Sequence, residues 1–236
     1  MTSSTSKNIY SNQYYGARIA SAFFVVMFLL GTASIFLASS SAFAAAQPSF
    51  FNSNEEVNTD FSPFKKWTSA LDKYSKEETA KKNGPCDGKE LNSCTYGKWM
   101  SFLAGIKDKD PATKIREINN YMNRAPYITD DQNWGTKDYW SSPGEFMSKF
   151  GDCEDYAIAK YMSLRILGFN EADMRVVAVK DMNLKVGHAV LVIFLGGKSY
   201  IMDNQIKDVV STSKVLHYVP VFSINAKAWW KHIPAS

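Results

Sequence analysis

The chain has 236 residues, 45% of them hydrophobic and 21% charged, with a formal net charge of +4. That balance excludes a disordered, collagen-like or multi-span membrane protein, and without a run of five or more basic residues it gives no ground for nucleic-acid binding. Three cysteines, Cys86, Cys94 and Cys153, are too few for a disulfide-dense scaffold or a four-cysteine zinc site, and their odd number leaves at least one thiol unpaired.

Residues 1–46 contain no Asp or Glu, carry Lys7 and Arg18, and hold an apolar run from Ile19 to Leu37 before a Ser/Ala-rich stretch ending Ala44-Ala45-Ala46-Gln47. The pattern is that of a secretory signal peptide; an uncleaved N-terminal anchor is the alternative, because the run approaches membrane-spanning length. Either way the remainder is exported. It has 190 residues with 25 basic and 23 acidic side chains, so the exported part is close to +2. A domain of this size buries roughly 70% of its unfolded surface and folds without staples.

Residues 47–60 are polar and without period, and read as a linker ahead of a single domain over 61–236. Ser62-Pro63 supplies a cap and a first-turn proline, and Phe64, Trp67, Leu71 and Tyr74 follow at helical spacing, which predicts a helix from about 63 to 82. Cys86 to Cys94 is a loop by composition. Trp99, Phe102, Leu103 and Ile106 mark a second helix, and Asp110-Pro111 opens a third with Ile115, Ile118 and Met122 on one face. The stretch 129–142, rich in Asp, Asn, Gly and Trp, reads as an ordered loop; its Trp134, Tyr139 and Trp140 are either a cleft wall or core aromatics. Ser142-Pro143-Gly144-Glu145 has the form of a capping box.

The second half changes character. Asp152-Cys153-Glu154-Asp155 opens a helix with Ala157, Ile158, Tyr161, Leu164 and Leu167 apolar and Gly168 placed as C-terminal cap. Strand-like runs follow at Met174–Val179, His188–Leu195 and Ser199–Asp203, the last two joined by the hairpin signal Gly196-Gly197. Val215–Ile224 is a further strand, with Pro220 favouring an edge. Helices first, then one helix and an antiparallel meander, make an α+β fold.

The hairpin brings His188 and Asp203 to one open end of the sheet as near cross-strand neighbours, and Cys153, on a helix N-terminus, can face that edge. This is the arrangement a thiol nucleophile needs. The helix terminus and an imidazole favour the thiolate, and a carboxylate orients the imidazole and stabilises its cation. Each residue also has a plain structural reading: an inert buried thiol, an ordinary strand histidine, a turn aspartate. Asp152, Glu154 and Asp155 oppose thiolate formation unless they are only dipole partners of the helix or a bound divalent cation neutralises them; oxygen ligands suit Ca²⁺. Cys86 and Cys94 enclose seven residues in an exported domain, and a disulfide is the preferred reading.

The runs Gly151-Asp-Cys-Glu-Asp-Tyr-Ala157, Gly187-His-Ala-Val190 and Tyr200-Ile-Met-Asp-Asn204 resemble the bacterial transglutaminase-like cysteine proteinases, and within them the LapG-type periplasmic proteases. The resemblance covers roughly residues 60–225. It implies a papain-like α+β fold, a triad of Cys153, His188 and Asp203, and Ca²⁺-dependent activity with Asp152, Glu154 and Asp155 as ligands. It further implies a large surface adhesin as substrate, cut at a paired-alanine site near its N-terminus to release cells from a biofilm. An inner-membrane cyclic-di-GMP receptor is the implied inhibitory partner. The expectation is thus a periplasmic thiol endopeptidase; the rivals are a transglutaminase or amidase with the same triad, and a non-catalytic binding module.

Overall fold

The computed structural model describes residues 50–80 and 93–235. The expected leader and Cys86, with the expected Cys86–Cys94 bridge, lie outside the described residues. Six α-helices are described: α1 Lys65–Ala80, α2 Ser93–Ile106, α3 Pro111–Met122, α4 Asp130–Trp134, α5 Pro143–Lys149 and α6 Cys153–Ile166. The strands are β1 Ser53–Asn58, β2 Met174–Asp181, β3 Val186–Leu195, β4 Lys198–Met202, β5 Val210–Ser211, β6 Tyr218–Ile224 and β7 Trp229–Pro234. They form one antiparallel sheet in the order β1-β7-β6-β2-β3-β4-β5. The α+β expectation holds.

Helix α6 is the hub. It is buried along ten consecutive residues from Asp155 to Leu164, because it packs on β2 and β3 with one side and on α3 and α5 with others. A helix covered on several sides gives little amphipathic signal. Trp67 of α1 lies edge-on to Tyr161, and Trp99 of α2, fully buried, donates from Nε1 to Ser163 Oγ at 2.9 Å. Ser163 in turn donates to Ala159 O at 2.7 Å, so the indole N–H is satisfied inside the core. Gly168 closes α6 at φ +83°, with Gly168 N–H donating to Arg165 O at 2.9 Å and Phe169 N–H to Leu164 O at 3.1 Å, the paired bonds of a Schellman cap.

Asp110 caps α3 by accepting from Thr113 N–H, with Pro111 in the first turn, as expected. Ser142 and Glu145 form the expected reciprocal capping box at α5. Gly196 and Gly197 both take positive φ, +58° and +72°, the primed turn whose twist matches the β3–β4 hairpin.

The structure departs from the sequence reading at four places. Residues 53–58, read as linker, form edge strand β1 against β7. Their apolar content is only Val57, so the pairing rests on backbone bonds and carries no hydrophobic alternation. The stretch 129–142 contains the short helix α4, ended by Gly135 at φ +65°. Helix α2 begins at Ser93 and takes in Cys94, which was assigned to the loop. Pro220 sits in β6, an interior strand, but at a register shift: Val179 faces Pro220 while Ala178 faces Phe222. The β7 pairing covers only Phe222 to Ile224, so Pro220 is locally at an edge and its missing N–H breaks no bond there.

Strand β1 is clipped on by charge. Arg175 of β2, buried, pairs with Glu55 Oε2 at 2.6 Å and lies 3.8 Å from the centre of the Trp230 ring. Removing Glu55 strands a desolvated guanidinium. Glu55→Ala should lower stability by about 2–3 kcal/mol, while the exposed neighbour Glu56→Ala should change it by less than ~0.5 kcal/mol. Urea unfolding of both variants checks the contrast; equal effects would remove the clip.

Candidate active site

The turn into α6 is strained. Phe150, the residue after α5, has φ +62° and ψ −162°, a region that glycine alone occupies freely. Asn133 Nδ2 donates to the carbonyls of Lys149 and Phe150 at 3.3 and 3.2 Å, and Phe150 N–H donates to Phe146 O at 2.8 Å; these hold the strained bend. Gly151 follows, in a parallel bridge with Tyr127, and then Asp152 and Cys153 start α6. The bend therefore sets where the Cys153 thiol points.

His188 on β3 and Asp203, one residue past β4, are both buried, and Nε2 lies 2.9 Å from Asp203 Oδ1. The hairpin register pairs Leu191 with Met202, which makes His188 and Asp203 diagonal neighbours rather than directly opposed. Asp203 also receives Gln205 N–H at 2.9 Å on Oδ1 and the Tyr218 hydroxyl at 2.8 Å on Oδ2, and Asn123 Nδ2 donates to its carbonyl at 2.7 Å. Burial alone would raise this carboxyl. The bond and charge of His188, with the Gln205 and Tyr218 donors, hold it below its ordinary value. Because an ionised carboxylate only accepts, Nε2 carries the proton and Nδ1 is the basic nitrogen.

Cys153 begins α6, which packs on β3, the strand that carries His188. Its thiol donates to Glu154 Oε2 at 3.1 Å, while His188 Nδ1 faces the Gln205 side-chain amide at 3.3 Å. The thiol and the imidazole Nδ1 thus each hold another partner. Burial first, then the charges of Glu154 and Asp152, push the thiol pKa up. The anticipated repulsion between the carboxylates and the thiol is real.

The acidic cluster is larger than the three residues read from sequence. Oxygens of Asp130, Asp138 and Glu154 converge within 4.8 Å of one another, as do those of Asp130, Asp152 and Asp155. Burial and neighbouring carboxylates raise Asp152 and Asp155 to about 8, and burial chiefly raises Asp130 and Glu154. Buried Asp130 Oδ1 and Asp152 Oδ1 have no hydrogen-bond partner among the described residues. Asp155 is better tied: Ser141 N–H donates to Oδ1 at 2.7 Å and Asp152 N–H to Oδ2 at 3.3 Å. Two orphaned oxygens amid carboxylates that resist ionisation fit a hard divalent cation.

The aromatics of 129–142 brace this cluster. Trp134 stacks on Tyr139 with ring centres 4.3 Å apart; Lys149 sits 4.2 Å from the Trp134 ring centre and Lys73 4.0 Å from that of Tyr139. Tyr139 N–H donates to Asp130, and Trp140 Nε1 to Asp138 at 3.0 Å. The sequence singled out these rings but not Asp130, Asp138, Tyr218, Gln205 or Tyr127. For the two aspartates a signal was present, since they lie in the same Asp/Trp-rich stretch. For the other three none was, because only folding brings them to the site.

The family model for the bacterial transglutaminase-like cysteine proteinases matches residues 85–236. Among solved structures, calcium-bound LapG of Legionella pneumophila is similar at 26% identity and a TM-score of 0.58, over 67% of this chain and 87% of that one. EGTA-treated LapG of the same organism is similar at 26% identity and a TM-score of 0.58, over 69% of this chain and 87% of that one. A comparison with curated protein sequences finds no match.

Gly151 is a steric necessity of the turn. A Cβ there would lie 2.0 Å from Asp155 Oδ2 and 2.8 Å from Asp155 Cβ, so more than a flexible tip must move. Gly151→Ala should break the Asp155 bonds to Ser141 and Asp152 and lower stability by about 1–3 kcal/mol. Urea midpoints read the loss; an unchanged midpoint would show that the turn relaxes freely.

Proposed function

The chain belongs to the bacterial transglutaminase-like cysteine proteinases, and from that membership we propose a calcium-dependent endopeptidase with Cys153 as nucleophile, His188 as general base and acid, and Asp203 as its orienting carboxylate. The observation that carries the reading is the buried His188–Asp203 pair, 2.9 Å apart, with His188 on the strand that packs against α6, the helix that Cys153 begins. Cys153 Sγ attacks the scissile carbonyl as His188 Nδ1 takes the thiol proton. The same nitrogen then protonates the leaving amine. Asp203 accepts from Nε2–H throughout and stabilises the imidazolium. For this the thiol leaves Glu154 and Gln205 yields Nδ1, each an exchange of one hydrogen bond worth about 1 kcal/mol. The Cys153 backbone N–H, which has no partner within its own helix, is an oxyanion donor.

Asp130, Asp138, Asp152 and Glu154 would hold the cation with Asp155 behind them, and a bound Ca²⁺ supplies the positive charge that lets this cluster ionise beside a thiolate. The calcium-bound relative supports the choice of metal. Family resemblance supports the finer reading: a periplasmic protein that cuts a large surface adhesin at paired alanines under control of an inner-membrane cyclic-di-GMP receptor. Among the described residues, no helix is long and apolar enough to cross a membrane.

The test is incubation with the N-terminal segment of a co-occurring large adhesin and a labelled amine. Cleavage should appear, stop in EGTA and return with Ca²⁺; amine incorporation without cleavage would make the protein an acyl transferase instead. Ca²⁺ should also raise the melting temperature and EGTA lower it, since a ligand of the folded state adds RT ln(1 + [L]/Kd) to stability. Indifference of both activity and melting to chelation would remove the metal. Asp203→Asn should reduce kcat by about 10³–10⁴-fold while Cys153 still reacts with iodoacetamide; a near-normal kcat would displace Asp203 from the role.

A further inference from the structure

A cavity of about 480 Å³ opens beside the His188–Asp203 pair, between the C-terminal end of α3 and the chain that follows β4. It is lined by Asn120, Asn123 and Arg124 on one side and by Asn204, Gln205 and Lys207 on the other. Two of these residues touch the base pair itself. Gln205 Nε2 lies 3.3 Å from His188 Nδ1, and Asn123 Nδ2 donates to the Asp203 carbonyl at 2.7 Å. We propose that this cavity is a substrate subsite for an acidic side chain, an Asp or Glu close to the bond that is cut, held by Arg124 and Lys207. The inference rests on the cysteine-protease reading.

The lining holds two cations and no carboxylate. Both cationic residues are exposed, and neither has an ion pair among the described residues. The side-chain oxygens of Asn123 and Asn204 are buried, so neither turns a lone pair toward an anion. The C-terminus of α3 does oppose an anion, but its charge of about half a unit is outweighed by two full cations. Asp203 lies behind the wall, buried, with its oxygens taken by His188, the Gln205 N–H and the Tyr218 hydroxyl. The two walls are tied to each other. Besides the bond from Asn123, Asn119 Nδ2 of α3 donates to Lys207 O at 2.9 Å. The cavity is therefore held open before a ligand arrives, which lowers the cost of binding.

The cavity also lies within reach of the scissile bond. One side chain, Gln205, spans from its wall to the nitrogen that takes the thiol proton. An extended peptide rises about 3.3 Å per residue, so the acidic residue falls within roughly three positions of that bond. Recognition and the base are thereby linked. Gln205 must yield Nδ1 for catalysis, and a carboxylate in the cavity offers its amide a charged acceptor, stronger than a neutral imidazole.

The test uses the full chain in Ca²⁺ and ten-residue peptides centred on Ala-Ala. A single Glu, or Gln as its neutral match, is moved through the three positions on either side. Wild type should cleave one Glu peptide about tenfold better in kcat/KM than its Gln match, and salt should shrink the ratio. In the double variant Arg124→Gln, Lys207→Gln the ratio should fall to within about twofold of one. Because the ratio is taken within each variant, a general loss of activity cancels. Arg124→Glu with Lys207→Glu should reverse the preference toward a Lys peptide. Equal cleavage of every Glu and Gln pair would overturn the subsite and leave the protease reading standing. A preference that survives in the double variant would also overturn it. Where no peptide is cleaved, occupancy is read as protection of Cys153 from iodoacetamide. Protection that needs the Glu and is lost in the double variant upholds the subsite while the protease reading falls. Protection indifferent to the Glu, or none, overturns both.

Discussion

Five carboxylates and one thiol crowd the first turn of a single helix, and the surrounding structure is built to tolerate that repulsion. The N-terminal dipole of α6 offers about half a positive charge, enough for one carboxylate and not for five. Hydrogen bonds take up part of the remainder: Ser141 and Asp152 N–H serve Asp155, and Tyr139 N–H serves Asp130. What is left shows as raised carboxyls and two buried oxygens without donors. A cluster so arranged is destabilising on its own and makes sense with a cation, whose attraction for each carboxylate offsets their mutual repulsion.

The base side of the site is the opposite case. His188 and Asp203 are a buried pair with every polar atom partnered, the imidazole by Asp203 and Gln205 and the carboxylate by three donors. Behind it, Lys160 of α6 is fully buried, its amine unpartnered among the described residues and its pKa lowered to about 7 by burial, against the pull of Asp203. The base is thus set on rigid sheet and hub helix, while the acidic half hangs on the stacked loop of 129–142. Two mechanical supports meet at Cys153, and the strained Phe150 bend is where they join.

The chemistry was legible in sequence where it lies close in the chain or follows a period. Cys153 was marked by its cap position, and His188 and Asp203 by a hairpin whose Gly196-Gly197 turn fixed the register to within two residues. Strand β1 was hidden because edge pairing leaves no mark in Ser53–Asn58 beyond Val57, and Pro220 misled because a bulge creates a local edge inside the sheet. Asp130 and Asp138 lie together in the Asp/Trp-rich stretch, but Gln205 and Tyr218 reach the His188–Asp203 pair from separate segments, so no spacing rule could join them. Their common cause is tertiary, since only folding brings these segments together.

The resting arrangement follows from competition for Glu154. Its Oε2 accepts from the Cys153 thiol, and the same residue belongs to two of the three ligand groupings among the described residues, one with Asp152 and Cys153 and one with Asp130 and Asp138. An S–H donor is weak, so a carboxylate oxygen gains far more from a divalent cation than from a thiol. A Glu154 oxygen that serves a cation is lost to the sulfur. The thiol is then left at the start of α6, which packs on the strand that carries His188, with its nearest negative charge neutralised. The carboxylate that most opposes thiolate formation is therefore the one whose removal from the thiol most favours it. On the proposed reading, cation binding and nucleophile release are coupled through one side chain, Glu154.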